Sequence, residues 1–424
     1  MLNFARLMIL FCVLAASSPG ETNVISLRIA TFNIAMGLPE PGMLGEKLNH
    51  GQDSRLQQVA EILQRVRPDI VVLNEFDYDP GFDAAGLFSE QYLSRSWNGQ
   101  QAIHYPYSYR NEVNTGIDSG LDLDGNGKTG DPQDAWGYGS FPGQYGMLVL
   151  SRFPIRYEVV RTFQYFPWAS LPSAKRPLNP AGGSFYSDDT WKQLRLSSKS
   201  HWDLPIDIEG HVLHLLVHHP TPPVFDGPED RNGKRNYDET RFWLEYLAPG
   251  NKDFIVDDQG QTGGLNQATK FIIAGDLNAD THDGDSLRVD THDLSSKDTH
   301  NLPNEDTHDL NLKSRVHYGD SMTSAAGQLL TFPLIDASCT PLSSGGREAS
   351  IVQGGINRQH KGDPAADTSD FDDERIGNLR LDYVLPSRTI VVTGCGVFWP
   401  AMGEDGHQLV EASDHRLVWL DISL

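Results

Sequence analysis

Short apolar runs alternate with amphipathic segments along most of the chain. Uninterrupted apolar runs of about four to eight residues are typical of strands that are covered on both faces. Apolar residues at the helical period predict helices at 53–66, which Pro68 ends, and at 237–247. A strand that ends in polar residues is predicted at 26–33, and apolar runs predict strands at 70–73, 147–150, 212–217, 271–274, 381–385 and 417–422. This alternation indicates an α/β layered domain.

Two polar stretches interrupt the pattern and are predicted to be insertions in a single domain spanning residues 21–424, because no linker rich in Pro, Ser and Gly divides it. The first insertion, at about 111–143, is rich in Gly and Asp. The second, at about 281–317, is polar with no apolar period, so we expect it to be disordered and dispensable for catalysis. Its histidines leave a metal-gathering role open. An Asp-Thr-His repeat begins at Asp280, Asp290, Asp298 and Asp306.

The first twenty residues have the pattern of a secretory signal peptide. Arg6 precedes an apolar run at residues 7–16, and the small residues Ser17 and Ser18 follow it. A run of about ten residues is too short to span a bilayer. We therefore expect residues 1–20 to be removed and the protein to be secreted or periplasmic, monomeric and without a stable membrane anchor.

The charge balance and the cysteine count exclude two kinds of site. With 57 acidic against 34 basic residues, the net charge is −23, so a broad basic face for nucleic acid is not available. A bound metal ion could still reverse the field locally. Once the signal is removed, Cys339 and Cys395 remain, which is too few for a zinc site built from Cys-x-x-Cys pairs. They form either one disulfide or two separate buried thiols.

Candidate catalytic side chains lie at the ends of the predicted strands, where α/β enzymes place their sites. Carboxylate oxygens from Glu75 and Asp414, with Asn33 nearby, suit a hard divalent cation such as Mg²⁺ or Mn²⁺. Histidines there supply donors for an anionic oxygen, and Asp276 is placed to orient or deprotonate a water. The strand-end residues are Asn33, Glu75, His218, His219, Asp276, Asn278, Asp382, Asp414 and His415. Together they indicate metal-assisted hydrolysis of a phosphate ester.

The first insertion contains a candidate structural calcium loop. Asp122, Asp124 and Asn126 have the one-three-five oxygen spacing of such loops, and Gly127 stands at the sixth position. Position twelve is Gln133 rather than a bidentate Glu, so Asp131 or Asp134 would have to close the site. The alternative is an Asp/Gly turn that binds no ion.

Six motifs occur in order: TFN at 31–33, NEF at 74–76, HPTP at 219–222, GDLNAD at 275–280, LDYVL at 381–385 and SDH at 413–415. This series resembles the endonuclease/exonuclease/phosphatase superfamily, the group of deoxyribonuclease I, exonuclease III, inositol-polyphosphate 5-phosphatases and neutral sphingomyelinases. The strings at 219–236, 360–364 and 380–388 are similar to a secreted bacterial branch of it. The resemblance implies a four-layer sandwich, with two mixed β-sheets packed face to face and helices outside.

The resemblance also implies a role for each strand-end residue. Of the adjacent histidines, His219 keeps the spacing to Pro222, and neighbours on a strand point to opposite faces, so His218 is expected to be a core residue. Glu75 would be the main metal ligand, with Asn33 as a metal or phosphate contact and Asp414 as a support for the metal. His219 would donate a hydrogen bond to the phosphate, and Asn278 would hold phosphate oxygens. Asp276 would orient or activate the attacking water, and His415 would be oriented by Asp382.

These features predict a secreted phosphoesterase that hydrolyses phosphodiester bonds, an extracellular endonuclease being one form of it. Phosphomonoesters and phospholipid or inositol-phosphate headgroups are alternative substrates for the same fold. A secreted binding protein that has lost the chemistry is disfavoured, because all six motif groups retain their reactive residues.

Overall fold

The computed structural model of the protein describes residues 24–284 and 324–424. Its strands are β1 Ser26–Met36, β2 Ile70–Phe76, β3 Tyr107–Tyr109, β4 Met147–Ser151, β5 Arg161–Thr162, β6 His201–Ile208, β7 His211–His218, β8 Lys270–Asp276, β9 Ser369–Asp370, β10 Asn378–Leu379, β11 Asp382–Pro386, β12 Val391–Val397 and β13 Val418–Ser423. Its α-helices are α1 Met43–His50, α2 Ser54–Val66, α3 Ala84–Phe88, α4 Asp188–Gln193, α5 Arg231–Leu247, α6 Ala325–Leu330 and α7 Ser344–Gln353.

The longer strands form two mixed sheets. The first has the order β12-β13-β1-β2-β4-β3, and the second has the order β11-β8-β7-β6-β5. Each sheet contains one parallel pair, β1 with β2 and β7 with β8, among antiparallel neighbours. The carboxyl ends of two adjacent strands therefore meet at one edge of each sheet, which is where the sequence places its polar groups.

Apolar side chains divide these elements into four layers. Ile29 and Val72 of the first sheet pack with Leu204 and Leu215 of the second in a core between the sheets. The alternate residues of β1 and β2 face outward against α1, α2 and α3, as strand geometry requires. Aromatic residues of α5 cover the outer face of the second sheet in the same way. The predicted sandwich of two mixed sheets with helices outside is confirmed.

Local sequence signals predicted both helices, but they missed some of the strands. Asp53 caps α2 by accepting the N–H groups of Arg55 and Leu56, both at 3.1 Å, and the helix ends at Val66 before Pro68. Helix α5 begins at Arg231, whereas the prediction began at residue 237. The first turns were missed because they bury polar residues and have no apolar stripe. Strands β6 and β12 were not predicted, since polar residues and glycines interrupt their apolar positions.

Cys339 and Cys395 form a disulfide, with Cα atoms 6.3 Å apart. The bond joins the segment between α6 and α7 to β12, and it closes a sequence separation of 56 residues. Loop-closure entropy of that size corresponds to about 4 kcal/mol of stability. Of the two possibilities for these cysteines, the structure shows the disulfide.

Some sequence predictions fall outside the described residues. The signal-peptide prediction lies within residues 1–23, and the copies of the repeat at Asp290, Asp298 and Asp306 lie within 285–323. Among the residues that are described, no helix is both long and apolar enough to cross a bilayer.

Candidate active site

The first sheet contributes Asn33 and Glu75 to the site. The side-chain amide of Asn33 donates to Glu75 Oε1 at 3.2 Å and to Asp276 Oδ2 at 3.0 Å, so it links the two carboxylates. Its Oδ1 accepts the N–H of Ala35 at 3.0 Å and is therefore already engaged. Glu75 lies near the end of β2 with a φ of 55°, in the left-handed region that non-glycine residues rarely adopt. Such strain costs about 1–3 kcal/mol and concentrates at functional sites.

The second sheet places Asp276 opposite these residues at the end of β8. Around Asp276 Oδ2, the nearest ring nitrogens are Nε2 of His219 at 3.4 Å and Nε2 of His415 at 3.7 Å. Gly275 makes this approach possible, because a Cβ at that position would lie 2.1 Å from the carbonyl oxygen of His218. The carboxylate therefore lies where two strand ends and two imidazoles converge.

His415 is oriented by Asp382, as the resemblance implied. Its Nδ1 lies 2.8 Å from Asp382 Oδ2, which also accepts the hydroxyl of Thr368 at 2.8 Å. Burial alone would lower the pKa of His415, but the charges of Asp382 and Asp276 outweigh it and raise that pKa to about 10. The imidazole is therefore protonated at neutral pH, and Nε2 carries a proton toward Asp276.

The positive charges near Glu75 and Asp276 compensate the burial of these two carboxylates only in part. Burial is the main cause that raises the pKa of Glu75 and brings the pKa of Asp276 to about 6, although His415 opposes both shifts. Oxygen ligands that are desolvated and only partly compensated by His415 and Lys199 fit a hard divalent ion, which Glu75 would hold with Asn33 and Asp414 beside it. Asp276, Asp382 and His415 also bring ligand atoms within 4.8 Å of one another. Because a protonated imidazole cannot bind a metal, we assign that trio to proton handling.

Asp414 and Asn278 lie at the margins of this centre. Asp414 is exposed. Burial is the largest effect on the pKa of Glu75, and the charge of Asp414 adds a smaller upward shift, so the two carboxylates are near each other. Asn278 has a φ of 50°, and its backbone N–H donates to Asp276 Oδ1 at 2.8 Å. Its amide donates to the carbonyl of Pro220 at 3.2 Å, beside His219. Both residues therefore lie within the cluster that the sequence predicted.

The adjacent histidines face different parts of the molecule. His218 accepts the indole N–H of Trp243 at 3.0 Å through Nδ1 and stacks against His201, on the side of α5. His219 lies beside Asp276. Burial, followed by Lys199 and His415, lowers the pKa of His219 well below its usual value, so this ring is neutral. Strand alternation placed the two rings correctly.

Sequence reasoning missed several buried polar residues of the site. Lys199 is 5% exposed, and burial lowers its pKa while Glu239, Glu75 and Asp276 oppose that shift. It therefore brings a cation close to both acidic residues of the centre. Glu239 of α5 accepts the backbone N–H of Ser198 at 2.6 Å and the backbone N–H of Thr221 at 2.7 Å. Lys199 lies two residues before the unpredicted β6, so no pattern drew attention to it.

The candidate calcium loop is partly rearranged relative to the prediction. Asp122 and Asp124 bring a carboxylate oxygen each within 4.8 Å of one from Asp134. Asp131, the alternative closing residue, instead accepts the side-chain amide of Asn126 at 2.8 Å and caps the turn that follows. A site that includes Asp131 is therefore not what the structure brings together, and Asp134 takes that place.

Binding of a divalent cation at Glu75 is expected to weaken as the pH falls below about 6. The pKa of Asp276 is raised to about 6, so this carboxylate takes up a proton in this range, and burial shifts the pKa of Glu75 in the same direction. A proton on either group opposes the cation, and the apparent dissociation constant for Mn²⁺ should be about tenfold higher at pH 5 than at pH 7.5. Mn²⁺ titrations followed by electron paramagnetic resonance measure this, and Asp276→Asn should flatten the dependence. Equal binding at the two pH values would contradict it.

The family model described as the endonuclease/exonuclease/phosphatase family matches residues 30–415. An endonuclease/exonuclease/phosphatase structure from Beutenbergia cavernae is 18% identical at a TM-score of 0.46 and covers 94% of this chain and 72% of its own. An endonuclease/exonuclease/phosphatase family protein from Leptotrichia buccalis is 14% identical with a TM-score of 0.45, and the match covers 93% of this chain and 98% of that protein. Sphingomyelinase C from Streptomyces griseocarneus is 16% identical with a TM-score of 0.39, and the match covers 94% of this chain and 99% of that protein. No curated protein matches the sequence.

The matched range includes both strands of the first sheet that end in the site and all the residues around Asp276. Its limits fall at β1, three residues before Asn33, and at His415 itself. The chain therefore belongs to the endonuclease/exonuclease/phosphatase family and is a metal-dependent phosphoester hydrolase.

Proposed function

We propose that this hydrolase is a phosphodiesterase that cleaves nucleic acid, and that it is exported by its N-terminal segment. The observation that carries the choice of substrate is an aromatic surface beside the phosphoester site. Bases stack on such surfaces whatever their sequence. Export is supported by the signal-like pattern of residues 1–20. Mass spectrometry of the mature N-terminus in the medium or periplasm tests it, and an intact chain confined to the cytosol would refute it.

The aromatic surface consists of Tyr138, Tyr145 and Phe371. The two tyrosine rings stack with centroids 6.5 Å apart and planes 25° apart, and Tyr138 is 53% exposed. Burial and then the charge of Glu75 raise the pKa of Tyr145, which places this ring near the carboxylate. A Cβ at Gly37 would lie 2.2 Å from the Tyr145 ring, so glycine is required beneath it. The rings of Phe371 and His415 lie nearly perpendicular, with centroids 5.6 Å apart.

The residues around Asp276 suit hydrolysis of a diester held against this surface. Asp276 orients the water and takes up its proton as the water oxygen bonds to phosphorus. The bond to the leaving oxygen breaks, and the protonated His415 donates its Nε2 proton to that oxygen. The proton on Asp276 then returns to Nε2 of His415, 3.7 Å away. His219, neutral and able to donate a hydrogen bond, faces the same point, and Lys199 adds positive charge. Glu75, with Asn33 and Asp414 beside it, would hold a divalent cation, which would supply Lewis-acid stabilisation of the charge that develops on the phosphate oxygens.

A smaller substrate is the second candidate, and the net charge of −23 favours it. An anionic protein repels a polyanion at long range, whereas a lipid headgroup, an inositol phosphate or a small ester carries less charge into the site. In this case the tyrosine pair would not contribute to binding.

Removal of the exposed ring separates the two candidates. Tyr138→Ala is expected to raise KM for a single-stranded oligonucleotide about tenfold, the scale of one lost stacking contact, with little change in kcat. Hydrolysis of a diester without rings, such as glycerophosphocholine, should be unchanged. Tyr157→Ala is the matched control, because Tyr157 is 52% exposed and contacts Ser108 rather than the site.

The parent enzyme is assayed with Mg²⁺ or Mn²⁺ on DNA, RNA, glycerophosphocholine, p-nitrophenyl phosphate and phytate. Cleavage of nucleic acid with the Tyr138 effect supports the proposal. Turnover of phytate or p-nitrophenyl phosphate without cleavage of nucleic acid overturns it in favour of the second candidate.

A further inference from the structure

The first insertion holds a buried carboxylate oxygen with no partner. Asp134 is fully buried, and its Oδ1 accepts the N–H of Leu123 at 2.7 Å. Across residues 24–284 and 324–424, no group donates a hydrogen bond to its Oδ2. Carboxylate oxygens of Asp122, Asp124 and Asp134 lie within 4.8 Å of one another. The buried acid therefore faces two further acids.

This arrangement is unfavourable without a cation. A buried carboxylate oxygen that lacks a partner, such as Oδ2 of Asp134, loses its hydration without gaining a hydrogen bond, and neighbouring carboxylates add repulsion. Asp134 is held there firmly, since its backbone carbonyl accepts the N–H of Ser119 at 3.1 Å and its side chain is anchored by Leu123. The loop thus directs acidic oxygens at one point and provides no protein cation within the described residues to neutralise Asp134.

We propose that Asp122, Asp124 and Asp134 bind a structural Ca²⁺ ion. All the converging atoms are carboxylate oxygens, which hard cations prefer over the nitrogen and sulfur ligands of zinc or copper. Calcium accepts irregular sets of six to eight oxygens, whereas Mg²⁺ demands a near-ideal octahedron. Asn126 and Asp131 stand beside the group, joined by a hydrogen bond of 2.8 Å, and water can complete the shell because the loop around Asn126 is exposed.

The ion would fasten the insertion to the outer face of the second sheet. Trp136, two residues after Asp134, donates its backbone N–H to Ile117 at 2.9 Å, and its carbonyl accepts from Arg235 of α5. Arg195 also packs over the Trp136 ring at 4.8 Å. A cation at Asp134 therefore stabilises a segment whose other end is bound to α5, so calcium should raise the stability of the folded protein by mass action.

The test compares thermal unfolding in EGTA and in about 5 mM CaCl₂, a concentration that would saturate sites of the extracellular class. Glu75→Gln serves as the background in every sample, so that the catalytic centre does not contribute to the shift. The midpoint should rise by about 1–3 °C with calcium. Adding Asp134→Asn should abolish that rise. In EGTA the Asp134→Asn variant should melt at or above the parent, because the new amide oxygen can still accept from Leu123 while the unpaired charge is gone.

Asp118→Asn is the matched control and should keep the full calcium shift, because Asp118 is an exposed acid of the same insertion and caps Gly120. If Asp134→Asn does not fold, Asp124→Asn takes its place, since Asp124 is partly exposed. Terbium luminescence, sensitised by Trp136, gives a second readout that either variant should reduce. An equal calcium shift in the parent and the variants would overturn the proposal, as would an equal shift with Mg²⁺.

Discussion

Glu75→Gln is expected to lower kcat for phosphoester hydrolysis by about three orders of magnitude, which corresponds to a few kcal/mol of lost metal-assisted stabilisation. The substitution keeps the size of the side chain and its oxygen contact with Asn33, but it removes the charge that would hold the cation. Steady-state rates over a Mg²⁺ or Mn²⁺ titration measure the effect. The variant should bind Mn²⁺ more weakly in the same experiment.

Two further measurements separate this effect from a loss of folding. Because burial raises the pKa of Glu75, the charged group destabilises the metal-free protein, and Glu75→Gln should melt at or above the parent in chelator. Glu112→Gln changes the net charge equally at an exposed position and should retain full activity. Undiminished turnover of the parent in excess EDTA would rule out the metal-dependent mechanism.

Removing the imidazole of His415 is the second large effect that we expect. His415→Ala should lower kcat by at least about two orders of magnitude, the scale of a positioned acid–base group, while leaving KM less changed. His407→Ala is the matched control, because His407 is a partly exposed histidine of the preceding segment that contacts the carbonyl of Pro400. Comparable losses in the two variants would mean that the effect is structural.

The pH profile distinguishes orientation by Asp382 from simple packing. The pKa of His415 is raised to about 10, so its proton is retained across the neutral range and lost as the pH rises through that value. Since this pKa lies above that of an unfolded histidine, the stability gained is fully present below about pH 6.5 and disappears toward pH 10. Asp382→Asn should move the alkaline limb of kcat to lower pH. An unmoved limb would show that Asp382 does not tune His415.

Predictions from the sequence were accurate wherever a short segment contained its own cause. Continuous apolar runs located β2, β4 and β8, because a strand covered on both faces is apolar along most of its length, and runs with one polar residue located β7 and β11. Alternation along β7 assigned His219 to the site and His218 to the core. The same reasoning failed for β6, where polar residues alternate with the buried Trp202 and Leu204, so that no run forms.

The site itself depended on contacts between distant segments. Asn33 and Asp276 are 243 residues apart and meet through a 3.0 Å hydrogen bond, because β1 and β8 belong to different sheets that pack together. The sequence around Lys199 does not show that this residue approaches Glu75. Likewise, the sequence around Glu239 does not show that its carboxylate binds the backbone N–H of Ser198, the residue before Lys199. In the insertion, Asp131 and Asp134 were equally available by spacing, and the turn between them selected Asp134.

The sequence by itself determined the strands that have apolar runs, the polar residues at their ends and the class of chemistry, since apolar periodicity and residue type act over a few neighbours. The tertiary structure decided which of those residues share a cleft and what charge each one carries. Pairing register and sheet packing join segments far apart in the chain, and the pKa values of Glu75, Asp276 and His415 depend on burial and on one another. Desolvation and Coulomb interaction exist only once those groups are brought together, which is why only the folded chain sets them.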